Sequence, residues 1–86
     1  MPWFVYMVRC SDGTFYTGIT TDVGRRLGEH NSNDRLAARY TRSRRPVVLA
    51  YTEGTVSRAA AARRERAVRR LPRREKERLA ASWSQG

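Results

Sequence analysis

Few residues in this chain have types and spacing that suit chemistry. They are two tyrosines ten residues apart, Tyr6 and Tyr16, the single histidine His30, Arg26 four residues before it, and Glu65, a lone carboxylate in an arginine run. Other routes are closed. There is no GxxxxGK[ST] phosphate loop and no GxGxxG fingerprint. One cysteine, Cys10, and one histidine cannot assemble a zinc finger or a histidine-rich metal site. No serine stands in a nucleophile-elbow context that His30 would serve. What is left can move protons through phenol and imidazole, and can grip a phosphate through a guanidinium.

The charge distribution points to the same kind of substrate. The 86 residues carry eighteen basic and eight acidic side chains, a net charge of +10. Residues 1–34 are close to neutral, residues 35–45 hold five arginines and no acid, and residues 58–74 hold eight arginines against Glu65 alone. Charge concentrated in two short segments fits a polyanion, DNA or RNA. A chain of this length supports one domain, residues 1–86. It has no apolar run near the ~20 residues that span a bilayer. Eight large aromatics argue against a disordered basic tail. The start of the chain lacks the basic-then-apolar order of a signal peptide, and the lone cysteine leaves no internal disulfide. A cytoplasmic protein is expected.

The elements that must position these residues are legible in outline. Residues 3–10 and 14–20 read as two strands joined by Ser11-Asp12-Gly13. A two-residue turn would put Tyr6 and Tyr16 on opposite faces. A three-residue loop with Gly13 left-handed pairs Cys10 with Thr14, sets Tyr6 across from Gly18 and brings both tyrosines to one face. This second register is expected, with the glycine leaving space for something other than protein. Asp22 suits the N-cap of a helix to about Asn31, with Val23 and Leu27 as its apolar pair and Arg26 and His30 beside them. Residues 32–45 lack a period and read as a basic loop. Pro46 opens a third strand, VVLAYTE. Ser57 caps a helix through about Arg70, with Ala61, Ala62, Val68 and Leu71 inward, and Pro72 starts a last helix over 72–82 carrying Leu79 and Trp83 inward. The expected fold is α/β in the broad sense (α+β). Its order is β-β-α-β-α-α, a three-stranded, mainly antiparallel sheet packed with helices.

With these residues in place, the chain resembles the GIY-YIG nuclease superfamily, in particular its small stand-alone bacterial members. The two naming tripeptides read Phe4-Val5-Tyr6 and Tyr16-Thr17-Gly18. The helix arginine of the superfamily falls on Arg26, its following His or Tyr on His30 (then Asn31), and its metal-binding glutamate on Glu65. Tyr40-Thr41-Arg42 leading to Arg45-Pro46-Val47 also looks like the small bacterial branch. The resemblance covers about residues 3–80. Phe4 and Thr17 depart from the pattern, at positions to which no chemistry is assigned.

The resemblance implies a metal-dependent DNA endonuclease, using Mg²⁺ or Mn²⁺, with a role in repair, recombination or DNA turnover. With no appended module, weak sequence preference and the reading of branched or damaged shape are expected. The implied catalytic set is Tyr6, Tyr16, Arg26, His30 and Glu65, with Glu65 on the metal. Either tyrosine could accept a proton from water, helped by Arg26, Arg9 and the metal. Arg9, Arg35, Arg39, Arg42, Arg44, Arg45, Arg63, Arg66 and Arg69 are the expected nucleic-acid contacts, and a monomer is favoured. Taken singly, each residue has a plainer role: strand aromatics, a helix-terminal histidine, a glutamate paired with Arg69 at i+4. The alternative is therefore a non-catalytic basic nucleic-acid-binding protein that keeps the fold.

Overall fold

The computed structural model describes residues 2–85. Strands β1 (Trp3–Arg9) and β2 (Phe15–Thr20) form the expected hairpin. Gly13 adopts φ 84°, the Cys10 N–H donates to the Thr14 carbonyl at 2.8 Å, and Tyr6 faces Gly18. A residue with a Cβ would be strained at that turn. At Gly18 the finding differs from expectation. The Tyr6 ring leans over it so closely that a Cβ there would lie 2.6 Å from the tyrosine oxygen. The space belongs to Tyr6.

Helix α1 (Val23–Ser32) follows, capped by the Asp22 carboxylate, which accepts from the Arg25 N–H at 3.0 Å. Residues 32–45 are not all loop. They contain α2 (Arg39–Arg42), a single turn whose Thr41 is fully buried. Strand β3 (Val48–Thr55) pairs antiparallel with β1 only, so the sheet order is β2-β1-β3. An irregularity between Met7 and Val8 lets Ala50 and Tyr51 both oppose Met7's side of β1. Helix α3 (Arg58–Arg69) is capped by Ser57, and α4 (Arg73–Gln85) completes the described chain. Pro72 sits one place before α4, where its missing N–H forfeits no helix hydrogen bond, and its carbonyl accepts the Lys76 N–H at 3.1 Å.

Strand alternation divides the core in two. On one face Tyr6, Val8, Cys10 and Val47 pack with Tyr16 and with Val23 and Leu27 of α1. On the other Met7 and Ala50 pack with Phe15, with Val68 of α3 and with Leu79 and Ala80 of α4. Trp83, expected inward, is 38% exposed, because Leu79 and Ala80 already fill the inner face of α4. It stands at the rim of a cavity with Arg9 and Glu77. No described helix is long and apolar enough to cross a membrane.

Candidate active site

The site grows from β1, where Tyr6 points toward α1 and is 2% exposed. Its Oη lies 2.7 Å from His30 Nε2, and His30 Nδ1 lies 2.8 Å from Thr41 Oγ1, with both partners of that second bond wholly buried. The proton positions follow from the far end of this chain. The Ala38 carbonyl can only accept, so the Thr41 hydroxyl, 3.0 Å away, donates to it. Thr41 Oγ1 therefore accepts from His30 Nδ1–H, and His30 Nε2 is left with a lone pair for the Tyr6 O–H. The Ala38 N–H approaches Nδ1 only at 3.5 Å, too long to impose the other tautomer. Tyr6 thus gives its proton to an imidazole, and its oxygen is left to accept, from the neighbouring Arg26 guanidinium among others.

Burial sets the charge states. It pushes Tyr6 up to about 12, with the neighbouring Tyr16 adding to the rise and Arg26 opposing it. Burial likewise pulls His30 down to about 4, reinforced by the guanidiniums of Arg26 and Arg45 and opposed by Glu29. At neutral pH the pair is uncharged, with the shared proton on tyrosine.

Arg26 lies beside Tyr6. It is fixed from behind by Glu29 Oε1 at 2.9 Å and by the Leu36 carbonyl at 2.6 Å. Tyr16 meets His30 edge-on, ring centroids 5.4 Å apart, and stacks beside Tyr40 at 6.0 Å. Glu65, on α3, also disfavours the Tyr6 phenolate, so its carboxylate lies within electrostatic reach of that hydroxyl. Its side chain is 18% exposed and pairs with Arg69 at 2.6 Å through Oε2. Tyr6 therefore has His30, Arg26 and Tyr16 beside it, and Glu65 within electrostatic reach.

Arg9 is not with them. It lies on the opposite sheet face, bound to Glu77 at 2.6 Å and lying over the Phe15 ring at 4.5 Å, so it cannot assist either tyrosine. Arg44 and Arg45, expected to grip a nucleic acid, are turned inward. Arg45 donates to the His30 carbonyl and to Asp34, each at 2.7 Å, and Arg44 to Asp12 at 3.1 Å and the Tyr40 carbonyl at 2.9 Å. Arg42 donates to the Asp34 carbonyl at 3.0 Å. Arg35, Arg39, Arg63, Arg66 and Arg69 are exposed. The supporting roles of three residues went unread in the sequence: Thr41, Glu29 and Asn31, whose amide clasps both backbone groups of Val47 at 2.8 and 2.9 Å. Their partners are 3 to 16 residues away in sequence, and only the His30-Asn31 pair and the Tyr40-Thr41-Arg42 run hinted at two of them.

The pattern of the GIY-YIG catalytic domain matches residues 2–78. The chain belongs to this nuclease family. It is 51% identical over 84 residues to the UPF0213 protein DP2720 of Desulfotalea psychrophila, covering 98% of this chain and 76% of that protein. It is 53% identical over 75 residues to the UPF0213 protein VNG_2274C of Halobacterium salinarum, covering 87% and 95%. Among solved structures, the NMR structure of EF2693 from E. faecalis superposes with a TM-score of 0.64 at 36% identity, covering 100% of this chain and 90% of that one. The NMR structure of the UPF0213 protein BH0048 from Bacillus halodurans gives 0.57 at 43% identity, covering 94% and 84%.

GIY-YIG nucleases are generally metal-dependent, so the donor set bears on the fit. Among the described residues no group of three or more His, Cys, Asp or Glu gathers as a metal cage. Glu65 stands alone, with Oε2 held by Arg69 and Oε1 free of hydrogen bonds among the described residues. That suits Mg²⁺, which keeps several waters and takes one or two carboxylates along with substrate phosphate. It does not suit a resident structural ion.

Proposed function

We propose that the protein is a metal-dependent endonuclease hydrolysing DNA phosphodiester bonds, and that its five-residue set is the catalytic site. The observation that carries this reading is the buried Tyr6–His30–Thr41 chain opening beside Arg26 and Glu65. Burying three hydrogen-bonded polar side chains in a small core costs stability unless every bond is made. It is an expensive way to hold a phenol that only packs.

Tyr6 commits its proton to His30 Nε2 and keeps lone-pair capacity on its oxygen beside Arg26. It can orient a water and take its proton as it passes its own to the imidazole. Arg26 is one of the charges that hold His30 neutral. A phosphate paired with Arg26 cancels that charge, so substrate binding itself raises the basicity of His30. Thr41, accepting from Nδ1–H, makes Nε2 the ring nitrogen that receives the proton. Glu65 would hold the divalent ion, which supplies Lewis-acid polarisation of the phosphate and charge neutralisation on the leaving oxygen.

A second reading has an observation of its own. The Glu65–Arg69 pair is the i,i+4 contact an ordinary surface helix makes without any metal, as a DNA-binding platform would. Cleavage of linear, supercoiled and branched DNA with Mg²⁺ or Mn²⁺, wild type against Glu65→Gln, separates the two. The catalytic reading expects a loss of about 10²-fold or more in turnover, with DNA affinity unchanged or tightened because a negative charge has left an arginine-rich surface. Equal turnover by the two proteins removes Glu65 from the site. Binding without cleavage by either favours the platform.

A further inference from the structure

Beside Tyr16 the surface opens into two cavities, about 250 and 260 Å³, which share Phe15, Tyr40 and Lys76 and so form one groove. Its walls are of two kinds: the aromatic rings of Phe15, Tyr16 and Tyr40, and the cationic side chains of Arg69, Arg73 and Lys76. Among the described residues, no carboxylate lines it. The five-residue site accounts for Tyr16 but not for the rest.

Tyr40 is 36% exposed, yet its ring is held at its hydroxyl and on one face. Its hydroxyl donates to Thr14 Oγ1 at 2.8 Å, and Thr14 Oγ1 in turn donates to Asp12 at 2.6 Å. The Arg44 guanidinium, itself tied to Asp12, lies 3.8 Å from the ring centroid. Arg44 lines neither cavity, so it backs the ring while the groove lies elsewhere. An aromatic plate fixed in advance loses little entropy when something stacks on it.

We infer that this groove takes an unpaired nucleotide of the DNA strand being cut, its base packed against the ring cluster of Phe15, Tyr16 and Tyr40 and its flanking phosphates on Arg69, Arg73 and Lys76. The inference rests on the nuclease reading and names its substrate class: single-stranded or frayed DNA over fully paired duplex. A paired base hides its faces within the stack, and a blunt duplex would offer these rings only sugar and phosphate. An unpaired base offers a π-face to any aromatic plate, whatever the sequence. Interleaved aromatic and basic side chains are the chemistry that single strands require. The groove shares Tyr16 with the five-residue site, so a base seated there belongs to the strand that enters that site.

The test reads binding, in EDTA, so that it does not depend on cleavage. A fluorescein-labelled oligothymidylate and a blunt duplex of equal length are titrated against the whole protein and its variants by anisotropy. Wild type should prefer the single strand. Tyr40→Ala should lose about 10- to 100-fold on it, the usual range for one stacked base, and only about twofold on the duplex. Tyr40→Phe, which keeps the ring, should stay near wild type, and Lys76→Gln should weaken the single strand without touching the fold. An abasic residue should cost affinity at one or two positions only, and cost nothing further in Tyr40→Ala. Equal single-strand affinity for wild type and Tyr40→Ala, or equal losses on both DNA forms, overturns the inference. If the single strand binds as described but no divalent ion supports cutting, the groove stands and the nuclease reading falls.

Discussion

The two arginine-rich segments have similar composition and opposite uses. In residues 35–45, Arg42, Arg44 and Arg45 turn back onto the protein, donating to the carbonyls of Asp34, Tyr40 and His30 and to the carboxylates of Asp12 and Asp34. In residues 58–74, Arg58, Arg63, Arg66, Arg69, Arg70, Arg73 and Arg74 are all exposed, and only Arg64 turns in, to Glu53 at 2.7 Å. Backbone hydrogen bonding explains the difference. Helix α3 satisfies its own carbonyls, so its arginines have no backbone to fill; Arg64 and Arg69 reach carboxylates, Glu53 and Glu65, and the rest of the helix's arginines face solvent. The irregular segment leaves carbonyls unpaired, and so does the last turn of α1, where His30 sits. Arginine, with five donors, fills both gaps. Counting arginines therefore overstates the binding surface of one segment and fairly describes the other.

This contrast predicts where acid attacks first. The inward segment encloses His30, whose side chain has no exposed surface and whose value in the fold, about 4, lies below the ordinary 6.5. Between those values the unfolded chain binds the proton and the folded chain does not, so stability falls as pH drops from about 6.5 toward 4 and is flat above that window. The loss by pH 4 should reach about 3 kcal/mol. The lowered carboxylates Asp12, Glu29, Asp34 and Glu77 add their losses only below their ordinary values of 3.8 and 4.5. Urea midpoints measured from pH 7 to pH 4.5 isolate the histidine, and His30→Gln should remove most of the slope. A flat wild-type profile over that range would show that His30 is reached by solvent.

Arg45 is the next largest effect. Its side chain is 25% exposed and, among the described residues, carries the only partner of the His30 carbonyl outside the helix. Arg45→Ala leaves that carbonyl uncapped and loses a charged hydrogen bond, worth about 1.5–3 kcal/mol. The Asp34 pair adds little, since Asp34 is 81% exposed, and removing the buried, unpartnered Arg45 Nη2 offsets part of the cost. A net loss of about 2 kcal/mol lowers Tm by roughly 10 °C in a chain of this size. Calorimetry decides it, and a Tm within about 2 °C of wild type would place Arg45 with the outward arginines.

How much of this was readable in the residues follows from range. The hairpin register was, because a Gly13 turn with Cys10 paired to Thr14 fixes every later pair on both strands. Strand parity also held the fate of Arg9: three residues from Tyr6, it had to point to the other face, though charge alone suggested otherwise. The caps at Asp22 and Ser57 were local and legible. Helix α2 was not, since four residues carry no period. Nor was the role of Thr41, whose partner His30 lies eleven residues away. Trp83 misled because hydrophobicity does not say whether smaller residues have already filled a face.

The smallest effect is the one that tests the comparison most directly. Arg63 and Arg66 are one turn apart on α3 and both exposed, so replacing them with alanine removes no side-chain bond made among the described residues. Stability should stay within about 0.5 kcal/mol. If both touch phosphate, the log–log dependence of DNA affinity on salt should become shallower by about 0.9 for each phosphate no longer held, close to 2 for the pair. Arg44→Ala with Arg45→Ala should do the reverse, lowering Tm while leaving the slope within about one phosphate of wild type. Anisotropy titrations at several salt concentrations, in EDTA to prevent cleavage, give the slopes, and thermal melts of the same samples give the stabilities. Equal slope changes in the two double variants would mean that the inward arginines swing out to meet DNA. An unchanged slope in Arg63→Ala with Arg66→Ala would move the binding surface off α3, toward the groove at Tyr40 and the exposed Arg35 and Arg39.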